Sequence, residues 1–124
     1  MTSNDTLYSR LGGYEGVVEF EKNLIERMMA DEVIGRFWQH RGADGLDREN
    51  QLVVNFLSHN AGGPVYYTGR DMATTHRGMR ISEDDWHRFI ELLNDTIDHF
   101  DLPDTEKGEV LGFIESIKGE IVEA

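Results

Sequence analysis

Four stretches of this chain repeat their apolar residues at every third or fourth position, and glycine or proline separates each stretch from the next. This spacing is typical of amphipathic helices, because it collects the apolar side chains on one face. No stretch has the pattern of a convincing strand. We therefore predict an all-α fold, and at 124 residues the chain has the length of a single domain spanning residues 1–124.

The ends of the predicted helices are marked by caps and helix breakers. The strongest helix follows Ser82, whose hydroxyl is a typical N-cap, and it has three carboxylates in its first turn. Gly62-Gly63-Pro64 ends the preceding long helix, since this sequence does not continue a helix. Together the patterns predict long helices over residues 14–31, 46–60, 83–100 and 104–121, and a short one before Gly12-Gly13.

Two of these helices carry apolar stripes that we expect to be buried. In residues 14–31 the stripe contains Val17, Glu21, Leu24 and Met28. In residues 46–60 it contains Leu46, Val53 and Leu57, with Leu52 and Phe56 beside it. Periodicity alone assigns both stripes to an ordinary core.

The charge and the composition restrict the partners. The chain has 24 acidic and 12 basic residues and a formal charge of −12, which repels nucleic acid and anionic membranes. It has no cysteine, so a metal would need nitrogen, oxygen or thioether ligands. Because no stretch resembles a signal peptide or a membrane span, we expect a cytoplasmic protein with no nucleic-acid or membrane partner.

The segment over residues 64–80 has no sustained periodicity, although it contains aromatic residues, two methionines and a histidine. A loop this apolar usually carries function. Met72 and His76 share a face if the stretch forms one helical turn. An apolar wall with one nitrogen donor is what an iron porphyrin needs on its proximal side. Without further context, however, a lone histidine is more often an ordinary exposed side chain.

That context is a series of motifs in order along residues 7–122. Leu11-Gly12-Gly13-Tyr14 comes first, then Arg27 with Ala30-Asp31, and then Phe37-Trp38. Gly62-Gly63-Pro64 follows, and then Tyr67-Thr68-Gly69 through Met72 to His76. The series resembles the group I truncated haemoglobins, in which these motifs are the glycine break after the first helix, the end of the second helix, the aromatic pair against the haem edge and the approach to the iron ligand.

The resemblance implies a two-over-two helical globin sandwich that encloses one haem b, with a loop-like proximal segment. It implies that His76 binds the iron through one ring nitrogen while the other nitrogen donates to a backbone carbonyl. Tyr67, Met72, Ile81 and Trp86 would flank the proximal face, and Ile25, Trp38, Leu52, Val53 and Leu57 would build the distal face, with Phe37 at the haem edge. Arg48 and Arg70 would pair with the haem propionates.

The implied function is reversible binding of dioxygen or another small diatomic ligand by a monomer, with a reductase partner for nitric oxide detoxification. Many members of the family have a tyrosine and a glutamine that donate hydrogen bonds to bound dioxygen. Ile25 and Val53 stand at those positions here, so we expect dioxygen to be released faster. Asn50 shares a helical face with Val53 and could donate, whereas an ionised Glu49 could only repel.

Two other classes of protein remain open on the residues alone. A helical interaction module without a cofactor would leave the apolar loop around His76 unexplained. A non-haem metal enzyme would combine His76 with carboxylates such as Asp71 or those at residues 83–85, although acids at the start of a helix are usually caps or solvated surface.

Overall fold

The computed structural model describes residues 6–38, 43–65, 67–69 and 71–123, and within residues 43–46 it describes the backbone only. All regular structure in these ranges is helical, as predicted. The helices are α1 (Leu7–Arg10), α2 (Gly13–Ala30), a 3₁₀ turn (Gly35–Trp38), α3 (Ala43–Asn60), α4 (Met72–His76), α5 (Glu83–His99), α6 (Asp104–Ser116) and α7 (Lys118–Ile121).

Helix α2 starts one residue before its predicted beginning and packs against α1, α3 and α5. Gly12 and Gly13 have φ values of 99° and 70°, a left-handed conformation that lets the chain turn sharply from α1 into α2. Val17, Glu21 and Leu24 are buried, which confirms the predicted stripe.

Helix α3 begins at Ala43, three residues earlier than predicted, and its buried face differs from the predicted one. The buried residues are Val54 and Ser58, whereas Val53 is 38% exposed and Leu57 is half-buried. Helix α3 packs against α2. The burial of Val54 and Ser58 shows that the inward side of α3 is rotated by one residue from the predicted stripe of Val53 and Leu57.

The end of α3 confirms the predicted glycine stop. The Gly63 amide donates to the Ser58 carbonyl at 2.8 Å, and the Gly62 amide donates to the His59 carbonyl at 3.2 Å. With Gly62 at φ 92°, this is a Schellman motif, which satisfies carbonyls that the helix leaves free. The Ala61 carbonyl then accepts from the Tyr8 amide at 2.9 Å, so the motif also ties α3 to α1.

Helix α5 is the centre of the apolar core. The buried core residues come from α2, the 3₁₀ region, α5 and α6: Phe20, Leu24, Ile34, Trp86, Leu92, Leu93, Ile97, Val110 and Ile114. Phe100, which we expected on the helix, follows its last residue and is exposed. Two ion pairs, Arg88 with Asp31 at 2.6 Å and Arg36 with Asp85 at 2.8 Å, fasten α5 to residues 31–38.

The prediction of one last helix over residues 104–121 is wrong. The helix stops at Ser116, Ile117 adopts φ −102° and ψ 2°, and α7 starts at Lys118. Glycines at 112 and 119 lower the helical preference on both sides of this break. The break lets α7 pack against α4. In the described part of the chain, every helix is too short or too polar to cross a membrane.

The N-cap of α5 is expected to contribute about 1 kcal/mol to the free energy of unfolding. The Ser82 hydroxyl accepts from the Asp85 amide at 3.1 Å, and the Asp85 carboxylate accepts from the Ser82 amide at 2.9 Å. Ser82→Ala removes the first of these bonds, so urea unfolding should show a loss of about that size. Ser116→Ala is the control, because its exposed hydroxyl donates only to a carbonyl within α6; equal losses in both variants would contradict the capping role.

Candidate functional site

The predicted helical turn at His76 is present as α4. The Asp71 carboxylate caps it by accepting from the Thr74 amide at 2.6 Å, and this hydrogen bond lowers the pKa of Asp71. His76 is the last residue of α4 and is half-buried, and its Nδ1 lies 2.8 Å from the Met72 carbonyl oxygen. A carbonyl can only accept, so Nδ1 carries the proton. In the neutral imidazole, Nε2 is then left with a lone pair.

A cavity of about 350 Å³ lies beside α4. Its lining joins the end of α3, the segment before α4, and the region where α6 gives way to α7: Phe56, His59, Asn60, Tyr67, Asp71, Met72, Phe113, Ile117 and Glu120. The Phe56 ring packs edge-on against the Tyr67 ring, with 5.1 Å between the ring centres, and its centre lies 5.8 Å from that of Phe113. The volume falls within the range of about 300–1,000 Å³ that is usual for small-molecule sites.

The structure brings some of the sequence-predicted proximal residues together. Tyr67 and Met72 share the cavity wall. Ile81 is buried five residues after His76. Trp86 is 2% exposed in the main core, where its indole N–H donates to Glu115 at 3.3 Å. Tyr67 and Met72 therefore form one group, and Trp86 lies in the core of α5 and α6.

The predicted distal residues come from α2, the 3₁₀ turn and α3. Ile25 on α2 and Leu52 on α3 are half-buried, and Val53 is partly exposed. Leu57 lines a second, apolar cavity of about 60 Å³ that also includes Val17, Phe20 and Phe113. Asn60 and Phe113 line both cavities.

The remaining predicted residues lie at the periphery or outside the described part. Phe37 and Trp38 are half-buried in the 3₁₀ turn, with their rings perpendicular and 6.3 Å apart. The Arg36 guanidinium lies 4.3 Å from the centre of the Phe37 ring, a cation–π contact. Arg48 is exposed on α3, and Arg70 lies outside the described residues.

Sequence reasoning did not assign Phe56, Phe113 and Ile117 to the site. Phe56 was visible as an apolar neighbour of the α3 stripe, but Phe113 and Ile117 reach the cavity from α6 and from the break after it. Periodicity indicates that such residues are buried without indicating what they contact.

Two of the four carboxylates considered for a non-haem metal site serve other purposes. Asp71 caps α4, and Asp85 caps α5 while it pairs with Arg36, which lowers its pKa. Within the described ranges, no three histidine or carboxylate side chains are arranged to hold a metal ion. The interpretation of these acids as helix caps is confirmed for Asp71 and Asp85.

The chain is similar to known proteins of one family. The model of the bacterial-like globin family matches residues 6–123. A group 1 truncated haemoglobin of Tetrahymena pyriformis is 25% identical over 122 residues, which cover 98% of each chain. A group 1 truncated haemoglobin of Mycolicibacterium paratuberculosis is 28% identical over 94% of this chain and 83% of its own.

A solved structure supports the same assignment. A mutant of the Tetrahymena pyriformis protein in the Fe(III) form superposes with a TM-score of 0.87, at 25% identity over 97% of this chain and 100% of that one. This similarity confirms the predicted truncated-globin fold. The chain therefore belongs to the bacterial-like globin family, as a truncated haemoglobin, and this membership implies haem-based binding of a small ligand.

Proposed function

We propose that this protein binds one haem b through Nε2 of His76 and uses it to bind dioxygen or another small diatomic ligand reversibly. The observation that carries the proposal is the 2.8 Å contact between His76 Nδ1 and the Met72 carbonyl oxygen. It fixes the tautomer and leaves Nε2 as a neutral nitrogen donor, which is the proximal ligand that haem iron takes in globins.

The cavity beside α4, which Met72 lines and His76 does not, has one wall that fits a flat apolar cofactor. Phe56, Tyr67 and Met72 give the neighbouring cavity an aromatic and thioether wall, and Phe113 and Ile117 extend it. Haem, when bound, supplies an iron that coordinates the small ligand. The chain would hold the iron through Nε2 of His76, and the Met72 carbonyl would keep the imidazole ring in place.

Among the described residues, the predicted distal side of the proposed site is poor in hydrogen-bond donors. Ile25, Leu52 and Val53 are apolar, and the half-buried Asn50 is the donor that stands one turn from Val54 on α3. Bound dioxygen carries partial negative charge, and a hydrogen bond to it contributes about 1.5–3 kcal/mol. We propose that dioxygen is held weakly for this reason, which makes ligand binding better supported than nitric oxide detoxification with a reductase. A monomer in the cytoplasm remains our expectation.

A visible absorption spectrum of the purified, haem-supplemented protein tests the proposal. It should show a strong Soret band in the ferric state and after reduction by dithionite, with a further shift on addition of carbon monoxide. A protein that stays colourless would contradict the proposal. A helical interaction module without a cofactor, which membership of the globin family does not favour, would then need testing.

Adding a donor to the distal side should prolong the residence of dioxygen. Val53→Gln places an amide on the partly exposed apolar stripe of α3, and one new hydrogen bond should slow dioxygen dissociation by about tenfold. Stopped-flow mixing of the oxygenated protein with carbon monoxide measures this rate. Val53→Leu is the control, since it adds volume without a donor; equal slowing in both variants would show that bulk, and not hydrogen bonding, is responsible.

A further inference from the structure

Glu123, which lies just after α7, is hydrogen-bonded to the loop that follows α4. One carboxylate oxygen of Glu123 accepts from the Arg80 amide at 2.7 Å, and the other accepts from the Gly78 amide at 3.2 Å. The Glu123 amide in turn donates to the Ile81 carbonyl at 2.8 Å. Three hydrogen bonds therefore join Glu123 to Gly78, Arg80 and Ile81, which lie in the loop after α4.

The loop that Glu123 holds has a demanding backbone conformation. Gly78 has φ 84° and Arg80 has φ 56°, so a non-glycine residue occupies the left-handed region. Such a conformation costs energy and persists where surrounding contacts enforce it. The amide of Arg80 is the donor in the shorter of the two bonds to the Glu123 carboxylate, so Glu123 is a contact that helps to hold Arg80 in this conformation.

This loop is the direct continuation of the helix that ends in His76. Gly78 lies two residues after His76, and the Met79 amide donates back to the His76 carbonyl at 3.2 Å. At its other end, α4 is fixed by the cap at Asp71. The position of the His76 ring therefore depends on both ends of α4. Asp71 caps the first end, and Glu123 holds the loop that follows the second.

We infer that Glu123 is a positioning residue that fixes the orientation of the His76 imidazole through its hydrogen bonds to the Gly78 and Arg80 amides. The inference rests on the proposed function of His76 as the axial ligand. Glu123 touches the loop and not the site, so it acts only through α4. A carboxylate suits this task because its two oxygens accept from two amides at once, which a glutamine side chain cannot do with its NH₂ group.

The test compares haem-loaded wild type with Glu123→Gln. The variant should release haem to an excess of an acceptor globin about fivefold faster, and its ferrous iron–histidine stretching band in resonance Raman spectra should shift or broaden. The matched control is Glu19→Gln, the same change at an exposed position of α2, which should behave as wild type. A Glu123→Gln protein with wild-type haem release and an unchanged band would overturn the inference, and a purely structural role would lower stability without moving that band.

A second measurement needs no variant and no haem. Gly78 and Arg80 are exposed residues, yet their amides should exchange with solvent slowly in the wild-type protein, because both are hydrogen-bonded to Glu123. Rapid exchange of both amides would overturn the inference even if Glu123→Gln failed to fold. A wild-type protein that takes up no haem would contradict the proposed function, and the positioning role with it, whatever the exchange result.

Discussion

His76→Ala is expected to lose the Soret spectrum of a histidine-bound haem and to retain haem poorly. The variant removes Nε2, the nitrogen that the contact between Nδ1 and the Met72 carbonyl leaves available. Apolar contacts with Tyr67 and Met72 would then have to hold the cofactor without an axial bond. Absorption spectra of equal amounts of haem-supplemented wild type and variant measure the effect, with circular dichroism to show that the variant is folded.

Two controls separate loss of the ligand from loss of a histidine. His87→Ala removes an exposed imidazole from α5 and should leave the spectrum unchanged. His76→Gly leaves room for free imidazole, which should restore a wild-type spectrum when it is added at millimolar concentration. A wild-type Soret band in folded His76→Ala would rule out His76 as the axial ligand and would direct the search to His59, which lines the neighbouring cavity.

The fold could be predicted where local chemistry decides the structure. Ser82 with the acids that follow it, and Gly62 with Gly63, specify helix ends through bonds between near neighbours, and both ends are found as predicted. The buried face of α3 could not be predicted, because periodicity marks an apolar stripe without telling whether it packs on a helix or borders a site. The break at Ile117 accompanies the packing of α7 against α4. The local sequence indicates this break only weakly, through its glycines.

The candidate site shows the same division. Met72 and His76 were predicted from their spacing of four residues and from the family resemblance, and α4 provides the expected helical turn. Phe113 and Glu123 come from distant parts of the chain and reach the region of α4 through tertiary packing. No local pattern around either residue points to α4, so only the folded structure identifies them.

Glu21 gives the fold an unusual dependence on pH. It was predicted on the buried stripe of α2 and is 3% exposed, and burial alone raises the pKa of its carboxyl to about 7. Among the described residues, the buried side-chain polar atoms without a hydrogen-bond partner are Glu21 Oε2 and Ser58 Oγ. Glu21 lies on α2 and Ser58 on α3, two helices that pack against each other.

A raised pKa in the folded state makes stability fall as pH rises. The carboxyl of an unfolded glutamate ionises near pH 4.3, whereas that of Glu21 keeps its proton in the folded protein up to about pH 7. Between these values the folded state binds more protons, so each increase in pH favours unfolding. The contribution of the Glu21 carboxyl to stability is fully present below about pH 4.3 and is lost by about pH 7, and its total size is at most about 4 kcal/mol.

Glu21→Gln should therefore be more stable than wild type at pH 8, by up to about 4 kcal/mol, and nearly equal to it at pH 4.5. Glutamine keeps the size and polarity of the protonated side chain but cannot ionise, so it removes the charge that burial disfavours. Urea unfolding at intervals of half a pH unit measures the difference, and other titrating groups cancel because both proteins contain them. Glu19→Gln, which changes an exposed acid of the same helix, should give a curve parallel to that of wild type. A parallel curve for Glu21→Gln as well would show that the Glu21 carboxyl ionises in the folded protein as it does in the unfolded chain, and that water or a partner side chain reaches it.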